Sequence, residues 1–396
     1  MKRVYLATAA TCALTLLGFI LLFSLRDRRI EADSLKVGFI YENDESMPYT
    51  YNFVTAERAL ETEYGGRVQI LTKSNTLETE TEEPTLDLIR RGCRIIFTNS
   101  YSEQFADLAP DYPDVQFCQV SHLEKAPEAV PENYHTFKGE IYQGRYVSGI
   151  VAGMKLKELI DQGVLSREEA VAGYVAAYPT AEVISGFTAF LLGIRAIVPE
   201  TTMKVRYTRT WGSYMKELDA ARKLIDAGCI VLSQHSDTIG PAVACEEAQT
   251  DHPVYFIGYN QSMLDIAPTT ALISTRINWT PYILGAVGAV FEDIPIEKNV
   301  DGKVHGSDIG AGFERGWVEM LELNTYVAAE GTQQKINETI DSLKRGNIQV
   351  FRGEYTGVNP DDPSDTCDLR TGFAENAAYS SPSFHYILED VITVEQ

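Results

Sequence analysis

The sequence lacks the motifs by which common enzymes and metal sites are recognised. It contains no G-x-S-x-G elbow, no P-loop, no HExxH pair and no glycine-rich dinucleotide fingerprint. Its cysteines are few and stand at Cys12, Cys93, Cys118, Cys229, Cys245 and Cys367. None of them lies in a CxxC or Cys/His pattern with metal spacing. We therefore expect a non-enzymatic protein without a metal or cofactor, in which Cys93, Cys118 and Cys229 are small buried hydrophobes.

Basic residues are also scarce. The chain of 396 residues has 34 Lys and Arg against 56 Asp and Glu, a formal net charge of −22. Proteins that bind nucleic acid through its phosphates need a basic patch, and none stands out here. The balance excludes nucleic acid as a partner and is typical of a soluble, exposed domain.

Charge is missing altogether from one long segment near the N-terminus. Val4–Leu25 is almost uninterrupted apolar sequence, bounded by Lys2 and Arg3 before it and Arg26 after it. About 20 apolar residues span a bilayer. Residues 1–30 are therefore predicted to form a signal or membrane anchor through residues 4–25, with the acidic globular part outside the cell. Cleavage of the anchor and lipidation at Cys12 remain open alternatives.

From Leu35 onward, strand-like and helix-like segments alternate. Predicted strands lie at 36–41, 67–71, 93–99, 114–120, 172–178, 202–208, 229–234, 254–259 and 271–277, with helices between most of them. A βαβ series of this kind predicts parallel sheets covered by helices. The fold class is α/β, with two doubly wound lobes that follow the anchor helix.

The lobes have predicted boundaries. Residues 35–155 form the first α/β lobe, completed by about 280–357, residues 156–279 form the second, and 358–396 are a C-terminal extension. Ligands of such folds bind where parallel strands end, in a cleft between lobes. The segment Ile141–Phe190 is both a crossover between the lobes and a candidate wall of that cleft. Thr180 is expected to cap the helix that begins there.

The predicted strand ends carry aromatic and uncharged polar side chains. The candidate ligand-binding residues are Tyr49, Thr50, Tyr101, Tyr178, Glu182, Trp211, Gln234, His235, Asn260, Asn278 and Trp279. Aromatic faces stack on bases, and Asn amides match adenine-like edges. Lys and Arg are few in these turns, which disfavours a phosphorylated ligand. Any one of these residues taken alone is more often structural than ligand-binding, and the set at equivalent positions carries the prediction.

Several long strings in the chain have a recognisable pattern. They include KVGFIY, GEIYQGRYVSGIVAGMK, VLSQHSDT, FIGYNQSM and NWTPYILGAV. With them, the stretch from Leu35 to about Gly357 resembles the basic membrane protein family, the PnrA-like purine receptors of ABC importers. The resemblance implies a type I periplasmic-binding-protein fold that closes on its ligand.

The resemblance also implies roles for individual residues. Tyr49 and Trp211 correspond to the aromatics that stack on the base from the first and second lobes. Asn260 stands where nucleoside-binding members have an Asp on the ribose, and Asn278-Trp279 near their Lys. Because Asn260 lacks the charge of that Asp, a free base is favoured over a nucleoside.

These observations predict an extracytoplasmic substrate-binding receptor that captures a purine base or nucleoside, adenine-like in preference, and delivers it to the permease subunits of an ABC importer. The alternative is a ligand-sensing module that signals to a membrane partner without transport.

Overall fold

A computed structural model describes residues 34–121, 130–249 and 253–395. This part of the chain forms two seven-stranded sheets and a smaller three-stranded one. The predicted anchor over residues 4–25 and the candidate lipidation site at Cys12 lie outside the described residues. No helix in the described ranges combines the length and apolar character that a bilayer crossing requires.

The strands are, in chain order, β1 (Leu35–Ile40), β2 (Val68–Lys73), β3 (Cys93–Thr98), β4 (Gln116–Val120), β5 (Tyr134–Gly139), β6 (Val171–Ala176), β7 (Thr202–Tyr207), β8 (Val231–His235), β9 (Tyr255–Tyr259), β10 (Ala271–Ile277), β11 (Lys303–His305), β12 (Asp308–Ala311), β13 (Val318–Met320), β14 (Thr356–Val358), β15 (Thr366–Asp368), β16 (Ile387–Leu388) and β17 (Ile392–Glu395).

The helices are α1 (Pro48–Tyr64), α2 (Glu82–Arg90), α3 (Glu103–Leu108), α4 (Ile141–Asp161), α5 (Ala181–Arg195), α6 (Tyr214–Asp226), α7 (Gly240–Ala248), α8 (Thr280–Glu292), α9 (Ile296–Asn299) and α10 (Thr332–Lys344).

The first sheet has the order β11-β12-β5-β4-β3-β1-β2. Its strands run parallel except β11, which pairs antiparallel with β12. The apolar runs of β1 and β3 are buried on both faces, as strands in a helix-covered parallel sheet are. The order reverses at β1, beside β3, so the loops after these strands diverge and leave a crevice at their carboxyl ends.

The second sheet repeats this plan with the order β13-β10-β9-β8-β6-β7-β17. All of its pairs are parallel except β13 with β10. Its order reverses at β6, beside β8, and leaves a matching crevice. The two sheets with their helices are the two lobes of the predicted α/β fold, which is confirmed.

The helix α4 carries the chain from the first sheet to the second and packs closely on α5. A Cβ atom added at Gly149 would lie 2.0 Å from the carbonyl oxygen of Phe190, and one at Gly193 would lie 2.1 Å from that of Tyr146. The two helix backbones therefore touch, and glycine is required at both positions. The Gly- and Ala-rich pattern of this segment serves packing between the lobes.

The segment after β13 contacts both lobes. Its strand β17 adds a parallel edge to β7 in the second sheet, from Ile392 opposite Met203 to Glu395 opposite Arg206. On the other lobe, Asp308 of β12 accepts hydrogen bonds from the backbone and hydroxyl of Ser380. The predicted lobe boundaries stay a prediction, and β13 and β17 bring strands to the second sheet from segments that the sequence assigned elsewhere.

Other expectations have mixed outcomes. Cys93, Cys118 and Cys229 are buried free thiols, as predicted. Thr180 does stand at the N-cap position of α5, but its side chain makes no capping hydrogen bond. The strand β5 was not predicted, because His135 and Lys138 break its apolar pattern.

Candidate functional site

A cavity lies between the two lobes at the carboxyl ends of their strands. Its empty volume, which includes space open to solvent, is about 580 Å³. The first lobe lines it from the loops after β1, β2 and β3 and from α1, and the second from the loops after β6 to β9. The lining residues are Glu42, Asn43, Tyr49, Glu78, Asn99, Ser100, Tyr101, Glu182, Trp211, His235, Ser236, Asp237, Tyr259 and Asn260.

Each lobe contributes an aromatic wall. Tyr49 of α1 donates its hydroxyl to the carbonyl of Asn99 at 3.1 Å and packs edge-on against Trp279. Trp211, four residues after β7, is supported by Tyr178, whose ring meets it edge-on at 5.3 Å between centroids. Rings held by neighbouring rings lose little freedom when a flat ligand stacks on them.

Glu182 of the cavity lining forms an ion pair that joins the lobes. The Nζ atom of Lys138 in β5 donates to Oε2 of Glu182 at 2.9 Å, and the Tyr101 hydroxyl donates to the same oxygen at 2.9 Å. Both charged side chains are nearly buried. Burial alone would raise the pKa of Glu182, but the Lys138 ammonium and the His235 side chain together outweigh it and hold that pKa well below its usual range. Glu182 therefore carries a fixed, paired negative charge.

A second buried cation, Arg145, lies against Tyr259 of the cavity lining. The guanidinium of Arg145 in α4 lies 3.7 Å from the ring centroid of Tyr259 and finds no hydrogen-bond acceptor among the described residues. Burial and this nearby cation lower the pKa of His235 to about 4. His235, whose Nε2 is 3.7 Å from Glu182 Oε1, is therefore a neutral imidazole at physiological pH.

The cavity lining also includes Asp237, which has no cation beside it among the described residues. Its Oδ1 accepts from Nδ2 of Asn260 at 3.1 Å, and Asn260 Oδ1 in turn accepts from Asn52 of the first lobe at 3.3 Å. Burial, reinforced by the carboxylates of Glu217 and Glu182, raises the pKa of Asp237 to about 7.

The loop that carries Asp237 is tightly fixed. Gln234 Nε2 donates to the carbonyls of Ser236 and Thr238, at 2.7 and 2.9 Å. The carboxylate of Glu217 in α6 accepts from the Ser236 hydroxyl and the Thr238 amide. Because both sides of the loop are held, the Asp237 side chain has a defined position in the cavity.

These features make a binding site. Two aromatic faces, amides, hydroxyls and two differently charged carboxyls can hold a flat polar molecule by stacking and hydrogen bonds. Within the described ranges, no three His, Cys, Asp or Glu side chains gather as a metal ion would require.

A family model matches almost the whole described chain. Residues 36–350 match the Bmp family, described as "ABC transporter substrate-binding protein PnrA-like". The chain belongs to this PnrA-like family. It is a substrate-binding protein of an ABC transporter, a class that binds small molecules and works with transporter permeases. The family acts by binding solutes, in agreement with the predicted receptor.

Curated relatives of this PnrA-like protein include a purine-binding protein of Brucella abortus, 28% identical over 325 residues, which covers 81% of this chain and 84% of that protein. Another is TsgA13 of Haloferax volcanii, named provisionally as an ABC transporter glucose-binding protein. It is 34% identical over 256 residues, 65% of this chain and 58% of its own.

Solved structures share the fold. A solute-binding protein from Conexibacter woesei superposes with a TM-score of 0.60 at 18% identity, over 80% of this chain and 98% of its own. One from Aeropyrum pernix superposes with a TM-score of 0.63 at 14% identity, over 83% and 95%. Both belong to ABC transporter systems, and at this identity they bear on the fold alone.

Six of the predicted site residues in this PnrA-like chain line the cavity together. They are Tyr49, Tyr101, Glu182, Trp211, His235 and Asn260. Three more lie one layer behind: Tyr178 supports Trp211, Gln234 fixes the Asp237 loop, and Thr50 accepts a hydrogen bond from Asn99 at 3.2 Å. Whether each contacts a ligand stays a prediction.

Asn278 and Trp279 are not brought to the cavity. The Asn278 amide donates to the carbonyl of Gly316 and to Glu319, each at 3.0 Å, and closes the turn after β10. Trp279 is fully buried and stacks on Phe53 in the first-lobe core. Strand β10 lies three positions away from the reversal at β6, so its end does not face the crevice.

Sequence reasoning missed Lys138, Arg145, Asp237 and Tyr259. Asp237 and Tyr259 lie in strings singled out for the family resemblance, so the position after a strand was a sufficient signal for both. Lys138 and Arg145 sit inside a strand and a helix, where only the folded partners reveal their role.

Proposed function

We propose that this protein captures a purine base outside the cell and presents it to an ABC importer. The observation that supports this proposal most directly is the pair of aromatic side chains, Tyr49 from one lobe and Trp211 from the other, that line one cavity. Stacking on an aromatic side chain contributes about 1–3 kcal/mol per base. The purine-binding relative from Brucella abortus supports the same ligand class.

A free base is favoured over a nucleoside and over a sugar. Both polar atoms of the Asn260 amide are already engaged, by Asn52 and Asp237, so this position offers little to a ribose diol. Lobe closure completes the site, because Glu182 and Asn260 meet partners from the opposite lobe. The family assignment supports transport over the sensing alternative.

Calorimetry on the purified full-length chain tests the ligand class. We expect adenine to bind, with guanine and hypoxanthine as the next candidates and adenosine and guanosine weaker. Glucose serves as the comparison ligand, since one relative carries that name. Heat with glucose, and none with any of the five purines, would overturn the proposal.

The membrane attachment forms part of the same proposal. Residues 4–25 hold the globular part at the outer side of the cell membrane. Protease added to intact cells should then digest the globular part, and alkaline extraction should leave the protein in the membrane fraction. Release into the soluble fraction by alkali would contradict the anchor.

A further inference from the structure

The Asp237 carboxyl group is only partly used by the protein. Its Oδ1 accepts from Asn260, and its backbone amide donates to the Trp211 carbonyl at 2.8 Å. No described residue donates to Oδ2, although this side chain lines the cavity. The free oxygen is therefore available to a ligand that stacks beside Trp211.

The Asn260 amide is less available to a ligand than Asp237 is. Its oxygen accepts from Asn52 and its nitrogen donates to Asp237, so both of its edges are engaged. It also has a left-handed backbone, with φ of 64°, which fixes its direction. Asn260 acts as a positioning residue, and Asp237 presents the hydrogen-bonding edge.

The surroundings of Asp237 favour its neutral form. The charged and titratable groups that share its cavity or act on it are Glu42, Tyr49, Glu78, Tyr101, Glu182, Glu217, His235 in its neutral form and Tyr259. None of these is a cation, and the pKa of Asp237 is raised to about 7. Because the Asn260 amide points at Oδ1, a proton on this group sits on Oδ2, the oxygen that is free.

The two forms of a carboxyl group recognise different base edges. A carboxylic acid donates through one oxygen and accepts through the other, which complements the adjacent ring nitrogen and amino group of adenine. A carboxylate only accepts, so it pairs with two adjacent donors, as on the N1–H and amino edge of guanine. An unmatched buried donor or acceptor costs about 1–3 kcal/mol.

We propose that Asp237 is the specificity-determining residue of this cavity, selecting an adenine-like edge when protonated and a guanine-like edge when ionised. This inference rests on the proposed purine function. The proton is taken from solvent as adenine binds and returns to solvent on release.

Calorimetry of the full-length chain with adenine and guanine, from about pH 5.5 to about pH 8.5, tests this. Adenine affinity should fall by roughly tenfold or more across this range, while guanine affinity rises relative to it. Repeating the titration in buffers of different ionisation enthalpy should show uptake of about one proton per adenine bound near the upper end.

The isosteric variant Asp237→Asn presents a permanent donor and acceptor. It should bind adenine with less than about threefold change over the same range, take up no proton and lose guanine. Asp226→Asn, an exposed residue of α6 outside the cavity lining, changes the same charge and should keep the wild-type profile. A thermal melt confirms that each variant is folded.

The outcomes separate the two proposals. If purines bind but the wild-type profile is flat, or Asp237→Asn keeps the wild-type profile, the role of Asp237 is wrong and the purine function stands. If no purine binds to the wild type at any pH, both proposals fail. The wild-type titration alone decides this, even if the variant does not fold.

Discussion

Two of the four acidic side chains that line the cavity have different partners: Glu182 lies beside a buried lysine, and Asp237 has no cation beside it among the described residues. Lys138 keeps Glu182 ionised, while burial among acidic neighbours brings the pKa of Asp237 to about 7. The difference lies in the partner that the fold supplies, since both side chains are acids at the ends of parallel strands. Glu182 thus has a constant charge, and Asp237 can exchange a proton in the physiological range.

Removing Lys138 should have the largest effect on stability and should abolish the difference between the two carboxyl environments. In Lys138→Met, Glu182 would be buried without its counter-charge, and we expect the free energy of unfolding to fall by about 3–5 kcal/mol. Denaturant unfolding measures this. Lys157→Met, which removes an exposed helix pair with Asp161, should cost less than about 0.5 kcal/mol.

The double variant Lys138→Met/Glu182→Gln should recover part of the lost stability, because it removes the uncompensated charge. Equal stability of Lys138→Met and Lys157→Met would mean that the charge on Glu182 does not depend on Lys138.

The two carboxyls should also give opposite pH dependences of stability. Asp237 has a raised folded pKa, so its contribution is complete below the unfolded value near 4 and is lost as pH rises towards 7. The wild type should therefore lose about 2–4 kcal/mol relative to Asp237→Asn over that window. The pKa of Glu375 is also raised to about 7, but this residue is present in both the wild type and the variant, so its contribution cancels in the difference.

Glu182 has a lowered folded pKa, so its contribution is lost in the other direction. The wild type should lose stability relative to Glu182→Gln as pH falls below about 4. Urea melts at several pH values measure both differences. If both stability differences changed with pH in the same direction, the environments of Asp237 and Glu182 would not differ as described.

A third variant, with a smaller expected effect, separates the contribution of stacking to purine binding from that of the carboxyl charges. Trp211→Ala should weaken purine binding by about 1–3 kcal/mol, at least tenfold at the centre of that range. Its backbone carbonyl still holds the Asp237 amide, so the pH profile of binding should keep its shape. Calorimetry gives both quantities.

Two substitutions serve as controls for this loss. Trp211→Phe should restore most of the affinity, and Tyr326→Ala, at a tyrosine that is 98% exposed, should change nothing. Unchanged affinity in Trp211→Ala would remove this side chain from the site.

The fold was accessible from sequence because buried parallel strands leave a strong local pattern. Apolar runs such as KVGFIY and CRIIFT end in turns and alternate with helices. The strand β5 left no such pattern, since the charge of buried Lys138 is balanced by Glu182, 44 residues further on in another lobe. Pairing of that kind becomes visible only when the chain is folded.

The site was accessible in part for the same reason. Placing candidates at strand ends found both aromatic walls, since parallel strands deliver their ends to one edge. The rule gave Asn278 and Trp279 as well, because sequence does not show that β10 stands away from the point where the strand order reverses. It passed over Asp237, whose partner is an amide from a different strand end.

The strand β17 has a consequence for the order in which the molecule can be built. It covers the edge of β7, although 189 residues separate Arg206 from its ion-pair partner Glu395. Contacts so distant in sequence form late. Until Ile392–Glu395 have been synthesised, β7 remains an unpaired edge that can join another nascent chain. We therefore expect the β7 edge of the second lobe to be open to aggregation while the polypeptide is being made.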